Sequence, residues 1–209
     1  ALANGEWCGN PVRPEIANLT IPEQRLAGRD GLPRLLVLGG SRGALAINKM
    51  LPAALALIPS EQRPQVRHQT GKLHCAETQA LYAAAGVNAE VVAFIDQMDE
   101  AYGWADFAIC RAGALTVAEL TSAGLAALLI PFPFAIDDHQ TVNGQLLVEQ
   151  GAALMIAQGD LTPALLADQI TALCGNSARR LDMAVRARQL SKTGAAERVA
   201  NVCLEVANA

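Results

Sequence analysis

Aromatic residues, cysteine pairs and long apolar runs are all scarce in this sequence, and each scarcity excludes a class of protein. Aromatic residues make up 4% of the 209 positions, whereas hydrophobic residues make up 52%. This usage, rich in alanine, leucine and valine, is typical of a packed cytoplasmic α/β protein. The five cysteines show no CxxC spacing, and their odd number indicates reduced thiols rather than a disulfide framework.

No apolar run is long enough for a transmembrane helix. The longest run, 125–134, is interrupted by Pro131 and Pro133 and falls short of the roughly 18 residues that a span needs. A basic surface is also lacking, because the formal net charge is -4 and the two signs are interspersed. The composition therefore predicts no nucleic-acid partner.

The first glycine-rich turn lacks the motifs of the common nucleotide-binding folds. An apolar run at 34–38 predicts a buried strand, and the turn 39–44, GGSRGA, follows it directly. The turn is not G-x-G-x-x-G and has no G-K-[ST], so NAD(P) and ATP are disfavoured and no cofactor is expected. Ser41 either gives its hydroxyl to a phosphate at a helix start or caps that helix.

Apolar runs and helical patterns alternate six times along the chain. Strands are predicted at 34–38, 66–69, 88–94, 107–110, 126–130 and 153–156, and helices at 45–58, 72–85, 98–104, 116–123, 140–150, 163–174, 176–192 and 195–209. The alternation predicts an α/β fold, a Rossmann-like doubly wound parallel sheet with helices on both faces. Ligands bind such sheets beyond the carboxyl ends of the strands, where the small-residue turns of this sequence fall.

The stretch 109–120, ICRAGALTVAEL, joins a predicted strand to a helix through a turn of small residues. Residues 112–114 leave the backbone N–H groups of the helix start open to a phosphate oxygen. Glu119 lies one helical turn after Thr116 and can accept hydrogen bonds from two neighbouring ribose hydroxyls. The same pair also fits a capping box, in which Thr116 caps the helix and Glu119 reaches back to the cap N–H. The first interpretation predicts a nucleotide site, and the second predicts a plain helix start.

Other polar residues follow the predicted strands. His68 is expected to be a hydrogen-bonded core residue rather than a catalyst. The segment 137–140, DDHQ, has no further histidine or cysteine at ligand spacing, so no metal site is expected. Gln140 and Asn143 either bind sugar hydroxyls or cap their helix.

Three arginines are the nearest cations to this edge, namely Arg13, Arg42 and Arg111. Each either meets an anion or forms a surface ion pair of little energetic value.

Together these motifs resemble the MurG family, the bacterial N-acetylglucosaminyltransferases that convert lipid I to lipid II in peptidoglycan synthesis. The resemblance covers nearly the whole chain, and its matching segments are 9–13 (GNPVR), 39–44 (GGSRGA), 68–72 (HQTGK), 94–98 (FIDQM), 110–119 (CRAGALTVAE) and 131–143 (PFPFAIDDHQTVN). It implies the carboxy-terminal domain of the two-domain GT-B glycosyltransferase fold. In that family this domain holds most of UDP-GlcNAc.

The resemblance also assigns roles to individual positions. Arg13 and Ile95 would lie near the uracil, with backbone groups at Ile95 reading its edge. Ser41 and the loop 114–116 would hold the diphosphate. Glu119 would bind the ribose.

At the sugar end, Gln140 together with His139 would bind the GlcNAc. The complete set implied for UDP-GlcNAc is Arg13, Ser41, Ile95, Ala114, Leu115, Thr116, Val117, Ala118, Glu119 and Gln140. Secondary positions are Gly40, Arg42, Arg111, Gly113, His139 and Asn143.

The resemblance divides the chain into an interdomain linker and first segment at 1–33, a UDP-sugar-binding domain at 34–175, and helices packing on it at 176–209. The chain starts with Ala1 and looks like the carboxy-terminal half of a longer protein. The family's glycine-rich loop and catalytic histidine belong to the amino-terminal domain, so no catalytic base is assigned here. Lipid I and peripheral attachment to the inner face of the cell membrane are expected through that domain. The chain alone is expected to bind UDP-sugar weakly and to turn over nothing.

Two other functions stay open at this point. A UDP-sugar epimerase can share the GT-B fold and would release UDP together with an epimerised sugar. A non-enzymatic nucleotide-sugar sensor would bind its ligand tightly without an amino-terminal partner.

Overall fold

One parallel sheet organises the molecule, which is described by a computed structural model over residues 8–40, 44–134 and 138–207. Its strands are β1 (Arg34–Leu38), β2 (Gln65–Gln69), β3 (Glu90–Val92), β4 (Phe107–Cys110), β5 (Ala126–Leu129) and β6 (Ala153–Met155). Their spatial order is β3-β2-β1-β4-β5-β6, and every neighbouring pair is parallel. The predicted doubly wound parallel sheet is therefore confirmed, although β3 is shorter than the predicted strand at 88–94.

Helices cover both faces of this sheet. They are α1 (Pro14–Ala17), α2 (Pro22–Arg25), α3 (Leu45–Ala56), α4 (Cys75–Ala84), α5 (Met98–Trp104), α6 (Ala114–Ala123), α7 (His139–Glu149), α8 (Pro163–Cys174), α9 (Ser177–Gln189) and α10 (Ala195–Ala207). Short 3-10 turns occur at Ser60–Gln62, Lys72–His74 and Gln158–Asp160. One core contains side chains of α3, α4 and α8, and the other contains side chains of α1, α5, α6 and α7.

Strand β1 shows why the central strands of the sheet read as unbroken apolar runs. Leu35 and Val37 belong to one core, whereas Leu36 and Leu38 belong to the other, and all four are buried. Because side chains of a strand point alternately to the two faces, a sheet covered on both faces needs apolar residues at every position. The run at 34–38 therefore predicts a buried strand of a parallel sheet.

The first segment contains two short helices that the sequence did not predict. Each has proline at its first helical position, which fits the fixed φ of proline. With four residues each, α1 and α2 are too short to show a helical period. Ile16 of α1 is fully buried, and Arg25 of α2 donates to the Gly124 carbonyl at 2.6 Å. The segment is thus tied to α6 and the turn after it.

The last two helices differ in how they pack. Met183, Ala184 and Ala187 of α9 are buried, whereas only Ala195 is buried in the described part of α10. The proposed division of the chain at 33 and 175 stays a prediction. None of the described helices is both long and apolar enough to cross a membrane.

Candidate functional site

The main cleft lies where the strand order reverses, between β1 and β4. The order matches the one in which doubly wound sheets bind nucleotides beyond the carboxyl ends of the strands. Gly39 and Gly40 follow β1, and residues 111–113 follow β4. A Cβ at Gly39 would lie 2.8 Å from the Gln69 carbonyl oxygen, so only glycine fits beside β2. The cleft encloses about 650 Å³ of space that is open on one side.

The start of α6 forms one wall of this cleft. Gly113 is the N-cap residue, has no side chain to cap the helix, and is followed by the exposed residues Ala114 and Leu115. The first N–H groups of α6 therefore face outward beside the positive end of the helix dipole. This arrangement can bind an anion such as a phosphate.

The capping-box interpretation of Thr116 and Glu119 is wrong. Helix α6 begins at Ala114, two residues before the predicted start, so Thr116 lies inside the first turn. The Glu119 carboxylate does not reach back to the helix start. It bonds instead to residues on two other segments.

Glu119 is held in the cleft by a cation and a buried phenol. Its Oε1 accepts a hydrogen bond from Nη2 of Arg13 at 3.2 Å, and its Oε2 accepts one from the Tyr102 hydroxyl at 3.0 Å. Burial raises the pKa of Tyr102 well above its ordinary value, and the Glu119 charge raises it further, so the phenol stays protonated and donates. A carboxylate accepts about four hydrogen bonds, so two bonds leave capacity for a ligand diol. Tyr102 gave no signal in the sequence because its role arises from the packing of α5 against α6.

The rest of the cleft is lined largely by residues after β1, β3 and β4. Of the predicted positions, Arg13, Gly40, Ile95, Arg111, Thr116 and Glu119 line it, together with Leu38, Gly39, Gln69, Phe94 and Met98. Phe94 and Ile95 follow β3 and supply apolar surface opposite α6. Ser41 and Arg42 lie outside the described residues. Gln69 and Met98 are lining residues to which the sequence assigned no role.

Four predicted positions line a second cavity instead. Ala114, Val117, Ala118 and Asn143 line a space between α6 and α7. Val117 and Ala118 lie three and four positions after Ala114 and share its face of α6, whereas Thr116 and Glu119 lie on the face that lines the cleft. Ala114 can still offer its backbone N–H group to the cleft.

Arg111 joins the ends of three strands. Its guanidinium donates to the Ile130 and Pro131 carbonyls at 2.9 and 3.1 Å, and to Oε1 of Gln158 at 2.6 Å. The same group lies 5.4 Å from the ring centroid of Phe132. Burial lowers the pKa of Arg111. These acceptors are neutral, so the surface ion-pair interpretation does not describe Arg111, whereas Arg13 does form one with Glu119.

Helix α7 begins beside the segments that follow β4 and β5, and none of its residues is among the described residues that line the cleft. Oε1 of Gln140 accepts a hydrogen bond from the Phe132 amide at 3.0 Å, and Nδ2 of Asn143 donates to the Ala112 carbonyl at 3.2 Å. His139 is exposed. In the described part of the chain, no group of three or more histidine, cysteine or acidic residues could hold a metal ion; Asp137 lies outside that part.

His68 is a core residue, as the sequence predicted. Its Nδ1 accepts from the Tyr82 hydroxyl at 3.0 Å, and its Nε2 donates to Oδ1 of Asn48 at 3.1 Å. Burial lowers the pKa of His68 to about 3. Because its pKa lies far below neutral pH and both ring nitrogens are bonded inside the core, His68 is no general base for a ligand in the cleft.

The strand order and the helix-start cleft define a Rossmann-like domain, and its similarity to solved glycosyltransferases and to a glycosyltransferase family model places it in the GT-B class. The glycosyltransferase WaaG of lipopolysaccharide biosynthesis has the same fold, with a TM-score of 0.65 and 16% identity over 95% of this chain and 54% of that one. Residues 34–199 match the glycosyltransferase family 28 C-terminal domain, and the chain belongs to that family.

The relatives agree with the MurG resemblance noted in the sequence. The UDP-N-acetylglucosamine--N-acetylmuramyl-(pentapeptide) pyrophosphoryl-undecaprenol N-acetylglucosamine transferase of Marinobacter nauticus is 56% identical over 96% of this chain and 55% of its own length. The crystal structure of Acinetobacter baumannii MurG superposes with a TM-score of 0.84 and 39% identity, covering 91% of this chain and 55% of that one. The chain thus spans somewhat more than half the length of the curated relatives it matches.

Proposed function

We propose that this chain is the donor-binding half of an inverting glycosyltransferase. The complete enzyme would transfer GlcNAc from UDP-GlcNAc to the muramyl 4-hydroxyl of lipid I, giving lipid II for peptidoglycan synthesis. One observation carries the proposal: the Glu119 carboxylate is fixed beside the uncapped start of α6, in a cleft at the point where the strand order reverses. The names of the relatives supply the sugar and the acceptor.

The geometry supports a specific placement of the nucleotide. Glu119 would accept from both ribose hydroxyls, and the N–H groups at the start of α6 would donate to the diphosphate. The uracil would lie against Phe94 and Ile95, with Arg13 beside it. Gln140, His139 and Asn143 would face the sugar from the start of α7.

The helix start would also serve the chemistry. In a single displacement, the acceptor oxygen attacks C1 of the sugar while the bond from C1 to the diphosphate breaks, so negative charge grows on the departing diphosphate. Donors fixed in advance at such a position contribute about 10²- to 10³-fold each in comparable oxyanion sites. The base that takes the acceptor proton would come from the amino-terminal domain.

The same proposal sets the cellular context. The complete enzyme would act in the cytoplasm at the inner face of the membrane, attached peripherally through its other domain, in cell-wall synthesis and hence in cell shape and division. This domain would need no cofactor and no metal ion.

Calorimetric titration tests the proposal. We expect UDP-GlcNAc to bind more tightly than UDP-GalNAc, and NADH to show no binding. Equal binding of UDP-GlcNAc and NADH would contradict a UDP-sugar site. Release of epimerised sugar and UDP, with no transfer to lipid I by the complete enzyme, would contradict the transferase.

A further inference from the structure

One side-chain amide joins two walls of the cleft. Gln69 is the last residue of β2, which lies between β1 and β3. Its Oε1 accepts from the Gly40 amide at 2.9 Å, and its Nε2 donates to the Gly40 carbonyl at 3.1 Å. The same Nε2 donates to the Ala93 carbonyl at 3.1 Å, directly before Phe94. The residue is 5% exposed.

These bonds fix the glycine turn, by which we mean Gly39 and Gly40, more strongly than the segment after β3. Gly40 has a φ of 72°, and both of its backbone polar groups are bonded by Gln69. The Ala93 carbonyl also accepts from the Gly71 amide at 3.2 Å, and the Val92 carbonyl accepts from the Thr70 amide. Loss of the Gln69 amide would therefore release mainly the glycine turn.

We propose that Gln69 is a positioning residue for the nucleotide. It holds the glycine turn, which borders the diphosphate, at a fixed place relative to the uracil segment 93–95. This inference rests on the proposed function, since it assumes that uracil and diphosphate occupy this cleft. A neutral amide suits the task, because it offers both N–H groups and an acceptor without placing a charge beside a diphosphate.

The test compares Gln69→Met with Gln79→Met. Methionine has nearly the length of glutamine and no charge, so Gln69→Met removes the three bonds without adding repulsion. Gln79 is the matched control, because its exposed Nε2 donates to the Val91 carbonyl at 3.2 Å outside the cleft. Each protein is titrated with uridine and with UDP.

We expect Gln69→Met to weaken UDP binding about tenfold and uridine binding less than about threefold, so that the preference for UDP shrinks. Gln79→Met should change neither value. An equal loss for both ligands would indicate a general structural role and would overturn the inference, as would no loss at all. If the wild-type protein binds uridine and UDP equally, or binds neither, both the inference and the proposed function fail. If the wild-type protein prefers UDP and Gln69→Met keeps that preference, only the inference fails.

Discussion

The proposed donor site has two ends, the cleft at Glu119 and the start of α7 at Gln140, and they are built in different ways. At one end, the Glu119 carboxylate is bonded to Arg13 and to the hydroxyl of Tyr102. Tyr102 is fully buried and belongs to α5, the helix that connects β3 to β4. At the other end, Gln140 accepts from the amide of Phe132, and the neighbouring Phe134 is 81% exposed. The Glu119 end is assembled before a ligand arrives, whereas the Gln140 end rests on an exposed loop. Affinity should therefore come mainly from the first end, and choice of sugar from the second.

Removing the carboxylate should have the largest effect. Glu119→Ala would lose two charge-assisted bonds to the ribose and leave the Tyr102 hydroxyl without its acceptor, so UDP affinity should fall by about 100-fold in calorimetry. Glu90→Ala is the control, because Glu90 also pairs with an arginine, Arg67, but lies at the start of β3. A loss of less than threefold for Glu119→Ala would contradict ribose binding at this end.

Removing the phenol should have the next largest effect. Tyr102→Phe deletes the donor that orients Glu119, and UDP affinity should fall by about tenfold. Tyr82→Phe is the matched control: it removes another buried hydroxyl, one bonded to His68, away from the cleft. Thermal unfolding would register a stability cost in both variants. Equal UDP affinity in Tyr102→Phe and Tyr82→Phe would show that nucleotide binding does not depend on the hydrogen bond from Tyr102 to Glu119.

The side-chain amide of Gln140, at the exposed end, should affect only the binding of the sugar. Gln140→Ala should weaken UDP-GlcNAc binding about fivefold and leave UDP binding unchanged, because one or two neutral hydrogen bonds are lost. Gln145→Ala on the same helix removes an exposed amide bonded to Glu149 and should change neither. A matching loss for UDP would place Gln140 at the nucleotide rather than at the sugar.

The exposed cation should matter least to the orientation of Glu119. The Arg13 side chain is 51% exposed, so its ion pair is screened by solvent and salt. Arg13→Met should reduce UDP affinity about twofold to threefold at physiological salt. Arg186→Met is the control, because the Arg186 side chain is also 51% exposed and pairs with Asp182 on α9. A loss larger than that of Tyr102→Phe would mean that Arg13 contributes more to binding than a solvent-screened ion pair.

The sequence predicted the features that depend on local pattern. Continuous apolar runs marked β1, β4, β5 and β6, since a doubly covered sheet demands them, whereas β2 (Gln65–Gln69) and β3 (Glu90–Val92) contain polar residues. Small residues after β1 and β4 marked the binding edge, and Glu119 stood out by its distance from the turn at 112–114. The core role of His68 also followed, because a single histidine at a strand end has no catalytic partner nearby in the sequence.

Features that depend on tertiary contact were missed. The roles of Tyr102 and Gln69 arise from residues 17 and 29 positions away, and no spacing rule links them to Glu119 or Gly40. The start of α6 was placed two residues late because Thr116 offered a side-chain cap, whereas the structure uses Gly113, which has none. An uncapped helix start leaves backbone N–H groups available to a ligand. The local rule that expects a side-chain cap therefore fails at the position where a binding site requires those N–H groups to be open.

A crystal structure of this protein with UDP-GlcNAc tests the central claim most directly. We predict both ribose hydroxyls within about 3 Å of the Glu119 carboxylate and the diphosphate at the N–H groups that begin α6. The Arg13 and Tyr102 contacts to Glu119 should persist. A nucleotide bound in the second cavity, between α6 and α7, or one whose diphosphate points away from α6, would contradict the account.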